Sequence, residues 1–292
     1  MPDKQISGKT KICALIGDPV EHTMSPVMHN AAYKKLGLDY IYIPFRVAPE
    51  QLAAAVDGLR ALNVKGFNVT IPHKVSIIPM LDGLDPLAEK IGAVNTVVNN
   101  DGELRGYNTD AEGFLRALLE RGVEPGGKNV VVLGAGGASR AITYVLAEKN
   151  AALTILNRQL ELDWAEDIAE LIREDFGKVV RVLELCEEYL AEALEKADIL
   201  VNATSVGMSP AVDESPVPAG LLKDSLIVFD VVYNPMMTRL IREARAAGAR
   251  TIGGIDMLAW QGALAFEKWT GQAAPLDLMR KEAMKMLERR ED

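Results

Sequence analysis

Lys74 and Asp110 are the residues of this chain with the most direct route to chemistry. Lys74 closes the segment FNVTIPHK, in which Val69 and Ile71 alternate with Asn68 and Thr70 until Pro72 ends the strand; Asp110 closes GYNTD. A lysine beside a carboxylate can carry a proton to or from a bound ligand when both line a cleft, whereas either alone is more often a solvated surface charge. Asn68, Thr70, Asn95 of GAVNT and Asn108 of GYNTD put amides and a hydroxyl at the ends of apolar runs, where asparagine also serves simple turns. In HTMSP, Thr23 and Ser25 precede Pro26. Two hydroxyls at a helix N-terminus, where the first N–H groups and the helix dipole favour negative charge, suit a carboxylate. On local physics alone, Ser25 reads first as the N-cap of that helix.

A second chemistry is written in VVVLGAGGASR. Gly134 permits a tight turn after an apolar strand, and Gly136 lets the backbone approach a pyrophosphate seated at the N-terminus of the next helix, so the loop Gly134, Ala135, Gly136, Gly137 and Ala138 reads as a dinucleotide cradle. The third position of the pattern holds Ser139 instead of Gly or Ala, and a glycine-rich turn that only eases strand–helix packing looks similar. Its place between a strand and a helix favours the cradle. At the end of the following strand stand Asn157 and Arg158, where an acidic residue would bind a ribose 2′-hydroxyl and an arginine accepts a 2′-phosphate. This favours NADP, with Arg140 as a second cation. Glu161 and Asp163 follow closely, able to repel a phosphate or bind an unphosphorylated ribose, which keeps NAD open.

These residues need elements to hold them. The chain has 292 residues, 49% hydrophobic and 25% charged, enough for two globular domains and too balanced for disorder. A formal net charge of −9 argues against nonspecific attraction to nucleic acid or anionic membrane, so a bound anion must meet local cations. Cys13 and Cys186 lie outside any CxxC or Cys/His cluster and read as buried thiols; His22, His29 and His73 lack metal-ligand spacing and read as structural. No apolar run nears the ~18 residues of a membrane span and KICALIG is a poor signal peptide, so a cytoplasmic location is expected.

The N-terminal part alternates strands (KICALIG, YIYIPFRV) with helices (SPVMHNAAYKKLG, PEQLAAAVDGLRALNV), and NTVVNNDGELRGYNTD reads as a hairpin turning at Asn100, Asp101 and Gly102. After AEGFLRALLERG come strand–helix units whose strands are NVVVLG, ALTILN, VVRVLEL, DILVNAT and LIVFDVVY. Such continuous apolar strands predict a parallel sheet with helices on both faces. The tail, DMLAWQGALAFEKWTG and APLDLMRKEAMKMLERR, is helical and expected to pack back on the first domain. The predicted domains are residues 1–111 completed by C-terminal helices 255–292, and 112–254.

Together GDPVEHTMSPVMHNAAY, FNVTIPHK, IGAVNTVV, GYNTDAEGF, LGAGGASRA, NATSVGM, VFDVVYNP and MLAWQGALAFEKWTG, in this order, resemble the shikimate dehydrogenase family, including its shikimate/quinate branch, over nearly the whole chain. The resemblance implies an α/β fold: an N-terminal α/β substrate-binding domain, a Rossmann domain, and an active site in the cleft between them. It implies reversible, metal-free reduction of 3-dehydroshikimate to shikimate with NADP(H), a step of chorismate and aromatic amino acid biosynthesis. A quinate/shikimate enzyme using both NAD and NADP is the alternative within the family. Carried over residue by residue, Lys74 and Asp110 become the catalytic pair, and Asn68, Thr70, Asn95 and Asp110 hold ring hydroxyls. Thr23 and Ser25 meet the substrate carboxylate, Thr23 standing where the family usually has serine. Tyr233 and Gln261 match substrate contacts. Gly254 and Met257 match the nicotinamide end of the cofactor site, and Thr204, Ser205 and Met208 a cofactor-facing loop. The resemblance admits a homodimer without specifying one. A nucleotide-sensing protein that keeps the fold without turnover is the reading from another class; retention of both Lys74 and Asp110 speaks against it.

Overall fold

The computed structural model describes residues 6–291; residues 1–5 and 292 of the first predicted domain lie outside the described residues. The chain divides into two units, one made of the chain up to Thr109 plus Ala259–Arg290, the other of Asp110–Leu258. In chain order the elements are β1 (Lys11–Gly17), α1 (Ser25–Leu36), β2 (Tyr40–Arg46), α2 (Leu52–Ala61), β3 (Gly66–Val69), β4 (Gly83–Leu84), α3 (Pro86–Ile91), β5 (Thr96–Asn100) and β6 (Glu103–Tyr107). There follow α4 (Asp110–Glu120), β7 (Asn129–Leu133), α5 (Gly137–Glu148), β8 (Ala152–Asn157), α6 (Leu162–Phe176), β9 (Arg181–Glu184), α7 (Glu187–Glu195) and β10 (Ile199–Asn202). The chain ends with β11 (Ile227–Asp230), α8 (Arg239–Ala246), β12 (Arg250–Gly253), α9 (Gly254–Thr270) and α10 (Leu276–Glu291).

The first sheet runs β2-β1-β3-β5-β6-β4. β1 is parallel to β2 and β3, and β5 turns antiparallel to both β3 and β6. The hairpin between β5 and β6 closes on Asp101 and Gly102, both at positive φ (52° and 98°), the twist that suits a two-residue connection. Ile16, Phe67, Val69, Ile77, Val94, Val97 and Leu104 form the core under this sheet. α9 returns to it through Trp269, whose Nε1 donates to Val97 O at 3.0 Å. Only glycine fits beneath the indole at position 66: a Cβ there would lie 2.2 Å from Trp269 Nε1 and 2.6 Å from Val97 O.

Around Trp269 the first unit gathers an aromatic group with a histidine at its centre. His29 is fully buried and stacks on Tyr42, ring centroids 4.4 Å apart and planes 8° off parallel, with Tyr33 and Phe266 nearby. Neither ring nitrogen of His29 has a hydrogen-bond partner, and burial drives its pKa down to about 3.

The second sheet is wholly parallel in the order β9-β8-β7-β10-β11-β12, so the direction of winding reverses between β7 and β10. In such sheets ligands bind beyond the carboxyl ends of the strands at that reversal. Val131, Leu133, Leu156, Leu200, Val228 and Leu240 belong to its core. Cys13 is buried, whereas Cys186 is partly exposed, against expectation, because it stands outside the sheet as the N-cap residue of α7. Among the described residues no helix is long and apolar enough to cross a membrane.

Candidate active site

In the first unit, the chain leaving β3 is pinned to the strand end that carries Asn95. Val69 N donates to Asn95 O at 2.9 Å, and Val94 N donates to Lys74 O at 2.7 Å. His73, just before the half-buried Lys74, is itself buried with Nε2 2.7 Å from Val47 O, so an internal contact holds the residue next to the lysine. Thr70 is half-buried, and its N–H donates to Ile16 O at 3.0 Å.

Asn68 and Asn95 are joined in one buried network. Tyr42 Oη donates to Asn68 Oδ1 at 2.6 Å, while Asn68 Nδ2 donates to Asn95 O at 3.1 Å and Thr96 Oγ1 at 3.0 Å. Both amide hydrogens of Asn68 are therefore spent internally, and toward a ligand it retains only acceptor capacity. Asn95 differs. Thr109 N, which can only donate, lies 2.8 Å from Asn95 Oδ1 and so sets the amide's orientation. Asn95 Nδ2 donates to Thr109 Oγ1 at 2.9 Å and keeps its second N–H. Asn108 is buried in the connection between β6 and α4, its Nδ2 donating to Ala93 O at 2.9 Å. Asp110 follows Thr109 in the chain as the buried first residue of α4, in the second unit, at the helix end where the dipole favours a carboxylate.

α1 starts earlier than Pro26 suggests. Met24, already in the helical region at φ −95° and ψ −7°, is the N-cap and supplies no side-chain cap, so Ser25 is the first helical residue and not the cap. Thr23 Oγ1 instead accepts from Ser25 N at 3.2 Å. Ser25 is buried, Gln261 is half-buried on α9, and Tyr233 is half-buried in the loop after β11.

In the second unit the glycine loop opens the N-terminus of α5. Gly134 has φ +95°, which a side chain rarely adopts, and a Cβ there would approach Thr204 Cγ2 at 3.0 Å. Gly136 is the α5 N-cap without a side-chain cap, and a Cβ on it would meet nothing within 4 Å. Helix N–H groups without a side-chain cap beside open backbone fit a pyrophosphate. Ala135 is buried, while Gly137 and Ala138 are half-buried. Ser139, the departure from the glycine pattern, is buried and donates from Oγ to Gly134 O at 2.6 Å, tying the helix to the turn.

The facing loop hangs from a buried carboxylate. Asn202 Oδ1 accepts from Thr204 N at 3.1 Å and Thr204 Oγ1 at 2.6 Å, and Asn202 Nδ2 donates to Asp230 Oδ1 at 2.9 Å. Asp230 also accepts from Val232 N at 3.1 Å and Thr238 Oγ1 at 2.5 Å. Burial pushes the Asp230 carboxyl up to about 6, although all three partners favour its charged form. Ser205 and Met208 are exposed in this loop. Gly254 and Met257 are buried in the first turn of α9, where Asp256 Oδ2 accepts from Arg121 Nη2 at 2.7 Å and Nε at 3.1 Å.

At the end of β8, Asn157 is buried and its Nδ2 donates to Glu161 O at 2.6 Å. Arg158 is exposed, and its guanidinium pairs with the Glu161 carboxylate at 2.7 Å. Arg140 is half-buried, its pKa lowered by burial and opposed by Asp167. Among the described residues no cluster of His, Cys, Asp or Glu could hold a metal ion.

Tyr42, Thr96, Thr109, Asn202 and Asp230 support these sites and were not read from the sequence. A signal existed for two of them. Asn-Thr occurs at both 95–96 and 108–109, and the hairpin, pairing Thr96 with Tyr107, returns both dipeptides to one end of the sheet.

Three family models match the chain: the shikimate dehydrogenase substrate binding domain over residues 15–97, shikimate / quinate 5-dehydrogenase over 118–240, and the shikimate 5′-dehydrogenase C-terminal domain over 254–284. The chain is similar to the shikimate dehydrogenase (NADP+) of Methanopyrus kandleri, with 49% identity covering 97% of this chain and 98% of that one. It resembles a shikimate dehydrogenase solved in complex with NADP+, at 43% identity and TM-score 0.89, over 97% of this chain and 98% of the other. It is also similar to the shikimate 5-dehydrogenase of Listeria monocytogenes in complex with shikimate and NAD, at 42% identity and TM-score 0.87, over 95% and 98% of the two chains.

Proposed function

The chain belongs to the shikimate dehydrogenase family, and from that premise we propose that it interconverts 3-dehydroshikimate and shikimate with NADP(H). The observation that carries this reading is the 49% identity to an NADP-dependent member along 97% of the chain; Lys74 and Asp110 are both present in this sequence. The uncapped α5 N-terminus and open Gly136 fit the nucleotide's pyrophosphate, and Arg158 is the cation for a 2′-phosphate.

When bound, NADPH supplies a hydride from nicotinamide C4. As the keto carbon is reduced, negative charge grows on its oxygen, and the Lys74 ammonium stabilises that oxygen and gives it a proton. In the oxidative direction neutral Lys74 takes the hydroxyl proton. Asp110 orients the substrate hydroxyl. The second N–H of Asn95 donates to a ring hydroxyl, Asn68 takes part only as an acceptor, and Thr70 and Gln261 add polar contacts. Thr23, Ser25 and the N-terminus of α1 hold the substrate carboxylate, and Tyr233 completes the substrate contacts. Steady oxidation of NADPH on adding 3-dehydroshikimate tests the assignment; nucleotide binding without turnover would favour the sensing protein.

A second reading, use of both NAD and NADP, is favoured by the pairing of Arg158 with a carboxylate. Initial rates with shikimate and quinate, each with NAD+ and NADP+, separate the two.

A further inference from the structure

Arg158 immediately follows β8, at the strand end where the adenosine ribose of a dinucleotide lies in this kind of sheet. Its side chain is 73% exposed, yet its charge is already engaged: Nη2 lies 2.7 Å from Glu161 Oε1 and 2.8 Å from Oε2, and Nε lies 3.2 Å from Oε2. The Nε–Nη2 edge is one of the forks with which a guanidinium grips a phosphate through two oxygens. A carboxylate of this chain occupies it.

The pairing is built into the backbone. Glu161 closes the short turn Gln159–Glu161, its N–H donates to Arg158 O at 2.9 Å, and its carbonyl accepts from the buried Asn157 Nδ2 at 2.6 Å. Asn157 thus anchors the backbone at Glu161, three residues after Arg158. Asp163, the other carboxylate of the segment, lies in the first turn of α6.

We propose that Glu161 is a specificity-determining residue that competes with the 2′-phosphate for Arg158 and thereby narrows the preference for NADP over NAD. A 2′-phosphate must displace the carboxylate or share the guanidinium with it. An unphosphorylated ribose needs no displacement, and its 2′-hydroxyl finds an acceptor in Glu161. The inference rests on the NADP reading above and concerns what limits it.

Equilibrium binding by titration calorimetry tests it on the full-length wild type, Glu161→Gln, Arg158→Gln and the double variant. The probes are NADP+, NAD+, adenosine 2′,5′-bisphosphate and adenosine 5′-monophosphate. Glutamine keeps the shape of Glu161 and its backbone bonds. Glu161→Gln is expected to tighten NADP+ and the bisphosphate about 2- to 5-fold, the range set by an exposed ion pair. NAD+ and the monophosphate are expected to hold or weaken. In the Arg158→Gln background the gain should shrink by at least half, and rising salt should erode it. An unchanged or narrowed NADP/NAD ratio in Glu161→Gln, with the wild type still favouring NADP+, overturns the competition and leaves the 2′-phosphate subsite standing. If neither wild type nor Glu161→Gln distinguishes bisphosphate from monophosphate, the subsite itself fails and the inference with it.

Discussion

Replacing Lys74 by alanine is expected to lower kcat by roughly 10²–10⁴-fold, the range for a positioned proton-transfer group, while shikimate affinity measured by direct binding changes far less. A near-normal kcat would remove Lys74 from the mechanism. Ser25→Ala is expected to raise KM for shikimate with little change in kcat, because a contact to the nonreacting carboxylate is made in ground and transition states alike. Since Met24 is the N-cap, the loss of about 1 kcal/mol that accompanies removal of a cap should be missing from its denaturation curve. An unchanged KM would take the serine out of the carboxylate site. Residue types carried much of the expected chemistry: a lysine, a carboxylate and a row of amides at strand ends can be read from letters alone. Letters do not say which hydrogens are already spent. Both N–H bonds of Asn68 point inward because Asn95 O and Thr96 Oγ1 meet them there, which only the fold determines.

At the scale of elements, the parallel strands and the hairpin were legible because each is a local pattern: an unbroken apolar run, or turn residues between two extended pieces. α8 and β12 were missed. β12 is four residues, Arg250–Gly253, with a polar start, and earns its place by pairing with β11; α8 shows its beginning only through Thr238, whose Oγ1 accepts from Ile241 N at 3.2 Å. Nor does sequence spacing reveal that β3 must carry a glycine where α9 crosses it. Gly66→Ala would push a methyl group into Trp269 and Val97 O, so a loss of roughly 1–3 kcal/mol is expected from overpacking. Urea denaturation followed by tryptophan fluorescence would measure it, and a midpoint equal to wild type would mean that the indole moves aside at no cost.

For the whole molecule, two buried titrating groups pull in opposite directions with pH. His29, in the first unit, has its pKa lowered from 6.5 to about 3. Below pH ~6.5 the unfolded chain binds a proton there that the fold refuses, so stability is lost as pH falls, by up to about 1.4 kcal/mol per unit. Asp230, in the second unit, is raised from 3.8 to about 6. Its ionisation burdens the fold above pH ~6, and that burden lifts as pH falls toward 3.8 because the folded state binds the proton first. His29→Phe should therefore flatten the loss of stability between pH 6.5 and 4, and Asp230→Asn should steepen it; urea midpoints across that range decide, and an unaltered slope for His29→Phe would sink the account. The aromatic packing that isolates His29 also joins distant parts of the chain, since Trp269 and Phe266 come from α9 while Tyr33 and Tyr42 come from α1 and β2. On the ribosome this imposes a wait. Between Thr109 and the arrival of α9 the whole Asp110–Leu258 segment must be made, which takes roughly 7–30 s at ~5–20 residues per second. During that interval the groove over Gly66 and the carbonyl of Val97 lack their indole, and the nascent first sheet is the surface a chaperone would meet, while the contiguous second unit gains nearly all of its own contacts. The unit whose synthesis begins first is finished last.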